Sequence, residues 1–231
     1  MIWFNGRSSD DFSLVVEQYP PRPIPKRKID RWSVPGRSGD VIEAQNAWEN
    51  VTRTYEVYLS AEGLGLTRVA GEAITWLMEP GYHMLWDEYD LDTFTMATLE
   101  GGIDIQNIQN EFGRFTLSFD CWPQRFLQSG AMPVNLSESG DLVNPTVYTA
   151  EPLIVVHGAG SGVLTIGEAG CILADCDEVT LDCREREAMR GVLNFNTTIT
   201  GTFPTLPSGS STVSWSGGIT GVTITPRWFV L

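Results

Sequence analysis

Apolar and polar residues alternate along several stretches of this chain, and each such stretch predicts a half-buried β-strand. In the first, Val51, Tyr55, Val57 and Leu59 fall on one face. In the second, the apolar positions are Phe115, Leu117, Phe119 and Cys121, with Thr116, Ser118 and Asp120 between them. One-sided strands of this kind are typical of antiparallel sheets that cover a core on one face.

One segment has helical spacing, from roughly Gly65 to Glu79, and Pro80-Gly81 ends it. Its apolar positions are Leu66, Val69, Ala70, Ala73 and Leu77. The opposite face is polar but is not rich in Lys or Arg, as a membrane-surface helix would be. We therefore expect a single helix that packs on one side of a β-sandwich.

Between an earlier strand signal, Phe12 to Val16, and the helix lie an extended arm and a hairpin. Four prolines within Tyr19–Lys28 fix the backbone in an extended conformation. The arm is either a contact with a neighbouring subunit or a stiff connector. The tip of the hairpin is formed by Val34, Pro35, Gly36, Arg37, Ser38, Gly39 and Asp40, in which Pro-Gly suits the centre of a type II turn. From the residues alone, an ordinary surface hairpin and a subunit contact both remain open.

The second half of the chain predicts a second β-sandwich. Residues 128–146 are rich in Ser, Gly and Pro, and we place the boundary near residue 140, giving domains 1–140 and 141–231. Beyond it, Leu153–Val156 and Val163–Ile166 are predicted to form a hairpin across the glycine-rich loop 157–162. Further strand-like runs follow at short intervals: Cys171–Leu173, Val179–Cys183, Leu193–Phe195, Val213–Trp215 and Val222–Ile224.

Composition agrees with a mainly β protein and restricts its partners. The chain has 231 residues, 42% hydrophobic, with 23 glycines and 13 prolines, which favour turns and short strands over long helices. The formal net charge is −14, and residues 61–231 hold most of the acidic excess. Because nucleic-acid affinity depends largely on Lys and Arg, we expect no specific nucleic-acid binding. No apolar run approaches 18 residues, so we expect no membrane insertion.

No residue pattern predicts a catalytic, metal or cofactor site. Cys121, Cys171, Cys176 and Cys183 lack the C-x2-C spacing of zinc sites, and with no secretory signal at the start we expect reduced thiols. His83 and His157 stand far apart in sequence without a recognisable nucleophile. The acidic runs 87–92 and 175–178 lack the EF-hand pattern, and we expect solvated faces or hairpin loops. Trp215 and Trp228 fit core packing better than a sugar-binding platform.

A series of spaced motifs resembles the distal tail proteins of siphophages. In the second half the motifs are NPT at 144–146, EPLIVVHGAGSG at 151–162, VTLDC at 179–183, FPTLPSGSSTVSW at 203–215 and ITGVTITPRW at 219–228. In the first half the resemblance is looser and rests on Arg31–Asp40 and Phe115–Pro123. Together these segments cover most of the chain.

The resemblance implies a function. Distal tail proteins form a hexameric ring, single or stacked, with ring-forming N-terminal domains and galectin-like C-terminal sandwiches. The ring joins the major tail tube protein to the tail tip or baseplate, contacts the tape-measure protein and the tail-associated lysin or tail fibre, and surrounds the DNA channel. In this family a hairpin in the region of Val34–Asp40 clasps the adjacent subunit. The protein would then be made and assembled in the bacterial cytoplasm and end in the virion, at the distal end of the tail.

Two other classes of function stay open at this point. A carbohydrate-binding module or adhesin for host-surface attachment could be built from similar sandwiches, although the chain has no insertion large enough for an added carbohydrate-binding module. A protein of this class would be a monomer or small oligomer with a row of exposed aromatic side chains. An enzyme would show turnover that these residues do not locate.

Overall fold

The protein is mainly β, as the sequence predicts, and its sheets curl around two separate cores. The computed structural model describes residues 1–61, 63, 65–108 and 111–231. Two compact units divide the chain: Met1–Arg125 together with Leu231, and Phe126–Val230. Each unit is β-sandwich-like.

In its described residues, the first unit contains a 12-residue helix and ten strands. Its elements are β1 (Ile2–Phe4), β2 (Arg7–Ser8), β3 (Leu14–Val16), β4 (Arg27–Trp32), β5 (Val41–Trp48), β6 (Val51–Ser60), α1 (Leu66–Leu77), β7 (His83–Asp87), β8 (Asp90–Leu99), β9 (Gln106–Ile108) and β10 (Phe112–Cys121). The main sheet has the order β2-β1-β7-β8-β10-β6-β3, and β9 pairs with β10. The described neighbours in it are antiparallel.

The core of the first unit confirms the predicted alternation. The inward positions of β6 and β10 are buried: Tyr55, Val57, Leu59, Phe115, Leu117, Phe119 and Cys121. The predicted helix is confirmed as α1, which packs its apolar face on this core. Trp76 of the helix stacks on Phe12 with ring centroids 4.5 Å apart, and its Nε1 donates a 2.8 Å hydrogen bond to the carbonyl oxygen of Phe4. The helix is thereby fixed to the start of the chain.

The second unit is built on two long strands. Its elements are β11 (Arg125–Leu127), which begins at the boundary, α2 (Gln128–Ala131), β12 (Val134–Leu136), β13 (Gly140–Asn144), β14 (Leu153–Ile166), β15 (Ala169–Leu173), β16 (Val179–Asp182), β17 (Glu187–Arg190), β18 (Leu193–Asn194), β19 (Ile199–Gly201), β20 (Gly209–Thr225) and β21 (Phe229–Val230). The sheet order is β12-β20-β14-β16-β17-β18; β13 also pairs with β20, and β15 pairs with β14 and β19.

The predicted hairpin across residues 157–162 is wrong. β14 runs through these residues as one strand with shifts in register at Gly158 and Gly162, and β20 likewise joins the two predicted runs Val213–Trp215 and Val222–Ile224. The reason is a close approach of the two backbones: a Cβ on Gly218 would lie 1.8 Å from the carbonyl oxygen of Ala159. These glycines permit a bulge in the pairing of β14 with β20, and the chain does not reverse here.

The segment 128–146 is also more ordered than its composition indicated. It contains α2, β12 and β13, and both strands pair with β20. The two compact units of the structure divide between Arg125 and Phe126. The domain boundary near residue 140 stays a prediction.

Candidate interaction site: the arm and hairpin of the first unit

Residues 17–26 form an extended arm without helix or strand. The arm is tied at both ends, because Glu17 N donates to the carbonyl oxygen of Glu56 at 2.8 Å and Glu49 N donates to that of Lys26 at 2.8 Å. Between these ties Tyr19 is 76% exposed and Ile24 is 85% exposed. The arm is thus held in place while large apolar side chains face solvent.

The turn between β7 and β8 anchors the middle of the arm. Arg22 Nη2 donates to the carbonyl oxygen of Tyr89 at 3.1 Å and lies 3.3 Å from Asp90 Oδ2. The rings of Tyr19 and Tyr89 are 4.0 Å apart between centroids. Asp90 also accepts a 3.2 Å hydrogen bond from Arg125 Nη1. Arg22 and Arg125 therefore share the Asp90 carboxylate, beside the middle of the arm.

A buried charge network supports this turn from inside. Asp87 is 1% exposed and accepts hydrogen bonds from Tyr55 Oη at 2.9 Å and Arg53 Nη2 at 3.2 Å. The Tyr89 backbone N–H adds a third bond at 3.1 Å. Burial, with a further contribution from the Asp87 carboxylate, raises the pKa of Tyr55 well above its ordinary value. The acidic run at 87–92 lies at the turn of the β7–β8 hairpin, one of the two expected placements, but Asp87 itself is buried.

The hairpin β4–β5 is a separate two-stranded sheet that begins where the arm ends. The Arg37 N–H donates to the carbonyl oxygen of Val34 at 3.1 Å and Gly36 has φ of +79°, which is the predicted type II geometry. All seven predicted tip residues, Val34 to Asp40, are exposed. Along the strands, Trp32 is 47% exposed and Ile42 is 58% exposed. The hairpin has no core of its own.

Basic side chains concentrate on the arm and hairpin. Six of the 15 basic residues lie here, including both lysines of the protein: Arg22, Lys26, Arg27, Lys28, Arg31 and Arg37. Arg27 packs its guanidinium 4.7 Å from the Trp48 ring centroid, across the base of the hairpin. This segment therefore presents positive charge from a chain whose net charge is −14.

The two histidines contribute to structure. His83 Nε2 lies 3.0 Å from the Pro80 carbonyl oxygen, and His157 Nε2 lies 3.0 Å from Thr223 Oγ1. Thr223 donates its hydroxyl proton to Asn135 Oδ1 at 2.7 Å. His157, Thr223 and Asn135 thus form one chain of side-chain hydrogen bonds between strands of the second unit.

Other candidate chemistries can be placed as well. Burial raises the pKa of the Cys121 and Cys183 thiols to about 12, and the four cysteines are free and buried. Trp228 is 6% exposed and belongs to the core of the second unit. Trp215 is partly buried and packs against that core. In the part of the chain that the structure describes, there is no group of three or more potential metal ligands and no helix long and apolar enough to cross a membrane.

The motifs that carry the family resemblance hold the second unit together. Asn144 of NPT donates to the carbonyl oxygens of Tyr148 at 2.8 Å and Leu206 at 2.9 Å. Asp182 of VTLDC accepts two hydrogen bonds from Arg227 of ITPRW, at 2.7 and 2.9 Å. Motifs that are far apart in the sequence thus contact each other within the second unit, Asn144 with Leu206 and Asp182 with Arg227.

Comparison with known proteins supports the same fold. No protein-family model matches the sequence, and no curated protein matches it. Among solved structures, the fold is similar to the crystal structure of the SPP1 Dit (gp 19.1) protein, described as a paradigm of the hub adsorption apparatus in phages infecting Gram-positive bacteria. The TM-score is 0.71 at 12% sequence identity, over 96% of this chain and 97% of that chain. The chain therefore has the fold of a phage tail hub protein, across both units.

Proposed function

We propose that this protein is a structural component of a phage tail hub, located at the distal end of the tail. The observation that carries the proposal is the fold similarity to the SPP1 Dit protein over 96% of the chain. A similarity that spans both units, rather than one common sandwich, is what a shared architecture would produce. The spaced motifs point to the same family independently of the fold.

The hairpin supports assembly into a ring. A two-stranded hairpin is marginally stable in water by itself, and this one exposes Trp32 and Ile42 without packing on a sheet of its own unit. A neighbouring subunit would cover these side chains. Since the covering surface differs from the hairpin, the contact would be head-to-tail, and such contacts form a closed ring when the rotation between neighbours closes.

The ring in this proposal is a hexamer, single or in two stacked copies, with the major tail tube protein on one side and the tail-tip proteins on the other. The tape-measure protein and a tail-associated lysin or tail fibre are its further partners. The chain has a net charge of −14, and we expect acidic side chains to line the central channel. Like charges repel, so passing DNA would not adhere to the channel wall. The protein would assemble in the bacterial cytoplasm and remain in the virion.

The test is the solution mass of the purified protein, combined with negative-stain images of the same sample. We expect a species of about six or twelve times the 25.5 kDa chain mass, seen as a six-fold ring with a central hole. A monomer that binds glycans in a screen would instead support the adhesin.

The two lysines provide a second readout of the same assembly. A lysine-specific protease can cut this chain only after Lys26 and Lys28, at the base of the hairpin. We expect the assembled protein to resist cleavage and the diluted monomer to be cut. Equal cleavage rates in both states would contradict a role of the hairpin in assembly.

A further inference from the structure

The outer face of the main sheet in the first unit carries a cluster of large apolar side chains. Trp3 on β1 pairs with Trp86 on β7, and Met84 on β7 pairs with Met96 on β8. The two indole rings are stacked, with centroids 3.8 Å apart and planes at 6°. We refer to these four residues as the Trp–Met face.

This face is not part of the core. The opposite side of the same strands holds Ile2, Phe4, Leu85 and Ala97, each 0% exposed, and that side packs into the core with α1. On the Trp–Met face the tryptophans and Met96 are half-buried, and Met84 is 38% exposed. Stacked rings are rigid, and methionine side chains adapt to a partner, so the combination suits an interface.

The border of the Trp–Met face is acidic. Glu100, directly after β8, is exposed and shares the side of Met96 by the two-residue repeat of a strand. Asp120 on β10 pairs with Thr98, which has the same orientation. An apolar centre with an acidic rim complements a segment that has apolar side chains and positive charge.

The hairpin β4–β5 is such a segment. On one face it exposes Ile42, which pairs with Arg31; on the other face it exposes Trp32, which pairs with Val41; and Arg37 lies at its tip. Complementary charges of this kind orient two partners and suppress other pairings. The first unit thus carries two complementary surfaces, the hairpin β4–β5 (the donor surface) and the Trp–Met face (the acceptor surface).

We propose that the Trp–Met face receives the hairpin β4–β5 of a second copy of this chain. The inference rests on the proposed function and specifies the surface that the ring would use. Each copy gives one hairpin and receives one, so the contact repeats from copy to copy, as a ring requires.

A mixing experiment tests the pairing. The acceptor variant carries Met84→Glu and Met96→Glu, the donor variant carries Ile42→Glu, and Met78→Glu is the control because Met78 is 60% exposed outside the Trp–Met face. We expect the control to assemble like the wild type and each of the other two to stay monomeric, with unchanged circular dichroism. An equimolar mixture of the donor and acceptor variants should form a dimer and nothing larger, because only one intact contact can form.

Cross-linking tests the same contact when association is weak. A chain with Ile42→Cys and Met84→Cys, treated with a mild oxidant such as diamide, should give a ladder of disulfide-linked oligomers. The native cysteines are buried, so neither single variant should give a ladder.

The outcomes separate the two proposals. If the acceptor variant assembles like the wild type while the donor variant does not, the Trp–Met face is wrong and the ring stands. If wild type assembles and the double-cysteine chain gives no ladder, the pairing is overturned. A wild type that neither assembles nor gives the ladder as its double-cysteine form overturns both.

Discussion

Asp182 and Arg227 join two distant segments of the second unit through a single ion pair. Asp182 Oδ1 also accepts a 3.1 Å hydrogen bond from the Arg184 N–H. Arg227 has φ of +59°, and its N–H donates to the Gly130 carbonyl oxygen at 2.8 Å. Burial alone would raise the pKa of Asp182, but the Arg227 hydrogen bonds, the Arg227 charge and the backbone N–H groups outweigh it, and the pKa is lowered.

Asp182→Asn should make stability less dependent on pH. A carboxyl whose folded-state pKa lies below its unfolded value, about 3.9, stabilises the fold above that value, and the contribution is lost as pH falls through the folded-state pKa. We expect the variant to lose about 1.5–3 kcal/mol in urea unfolding at pH 7, with the difference shrinking in acid. Exposed Glu168→Gln is the matched control. A loss that is equally large at pH 7 and in strong acid would exclude this linkage.

Arg53 and Asp87 show which part of the site the sequence could have revealed. Each lies two residues from a buried position on its own strand, Tyr55 and Leu85, so strand alternation alone places both charges on inward faces. A charge on an inward face needs a partner. Which partner could not be predicted, because β6 and β7 are separated in the sheet by β8 and β10, and the contact depends on how the sheet curls.

At the scale of elements, the glycine-rich segments were the hardest to predict. A run such as residues 157–162 has the local composition of a turn, and the same composition permits a bulge in a continuous strand. The difference lies in the partner strand, since Gly217 and Gly218 on β20 leave room for the backbone of β14. By contrast, α1 and the alternating strands β6 and β10 were predictable, because their apolar spacing is a local property.

Gly218→Ala should disrupt the irregular pairing of β14 with β20. The added Cβ would lie 1.8 Å from the Ala159 carbonyl oxygen, and backbone cannot move aside as a flexible side chain can. We expect a loss of more than about 3 kcal/mol, as for severe overpacking, measured by urea unfolding followed by circular dichroism. Gly170→Ala on β15 is the control, because its Cβ would meet nothing within 4 Å. Similar unfolding midpoints for the two variants would show that the backbones of β14 and β20 can move apart to accept the added Cβ.

At the scale of the whole molecule, the predicted class of two mainly β units is confirmed, and the family motifs contributed more than composition did. Composition could exclude function classes and suggest a boundary near residue 140, but it could not show which residues contact each other. The motifs could, because their residues meet in pairs such as Asp182 with Arg227. The galectin-like character of the second unit and the role of the hairpin tip remain predictions.

The boundary between the units can be decided by two fragments, residues 126–230 and residues 141–230. The shorter one lacks β12, which pairs with Val222–Ile224 of β20, and lacks Gly130, where an added Cβ would lie only 2.5 Å from the Trp228 backbone nitrogen. Without these segments the edge of β20 loses its ladder hydrogen bonds and Trp228 loses its cover, so apolar surface is exposed. We expect the longer fragment to be soluble and to unfold cooperatively in urea, and the shorter one to aggregate or to unfold at clearly lower urea. If both fragments unfold at the same midpoint, residues 126–140 are a linker, and the boundary lies near residue 140, where the sequence placed it.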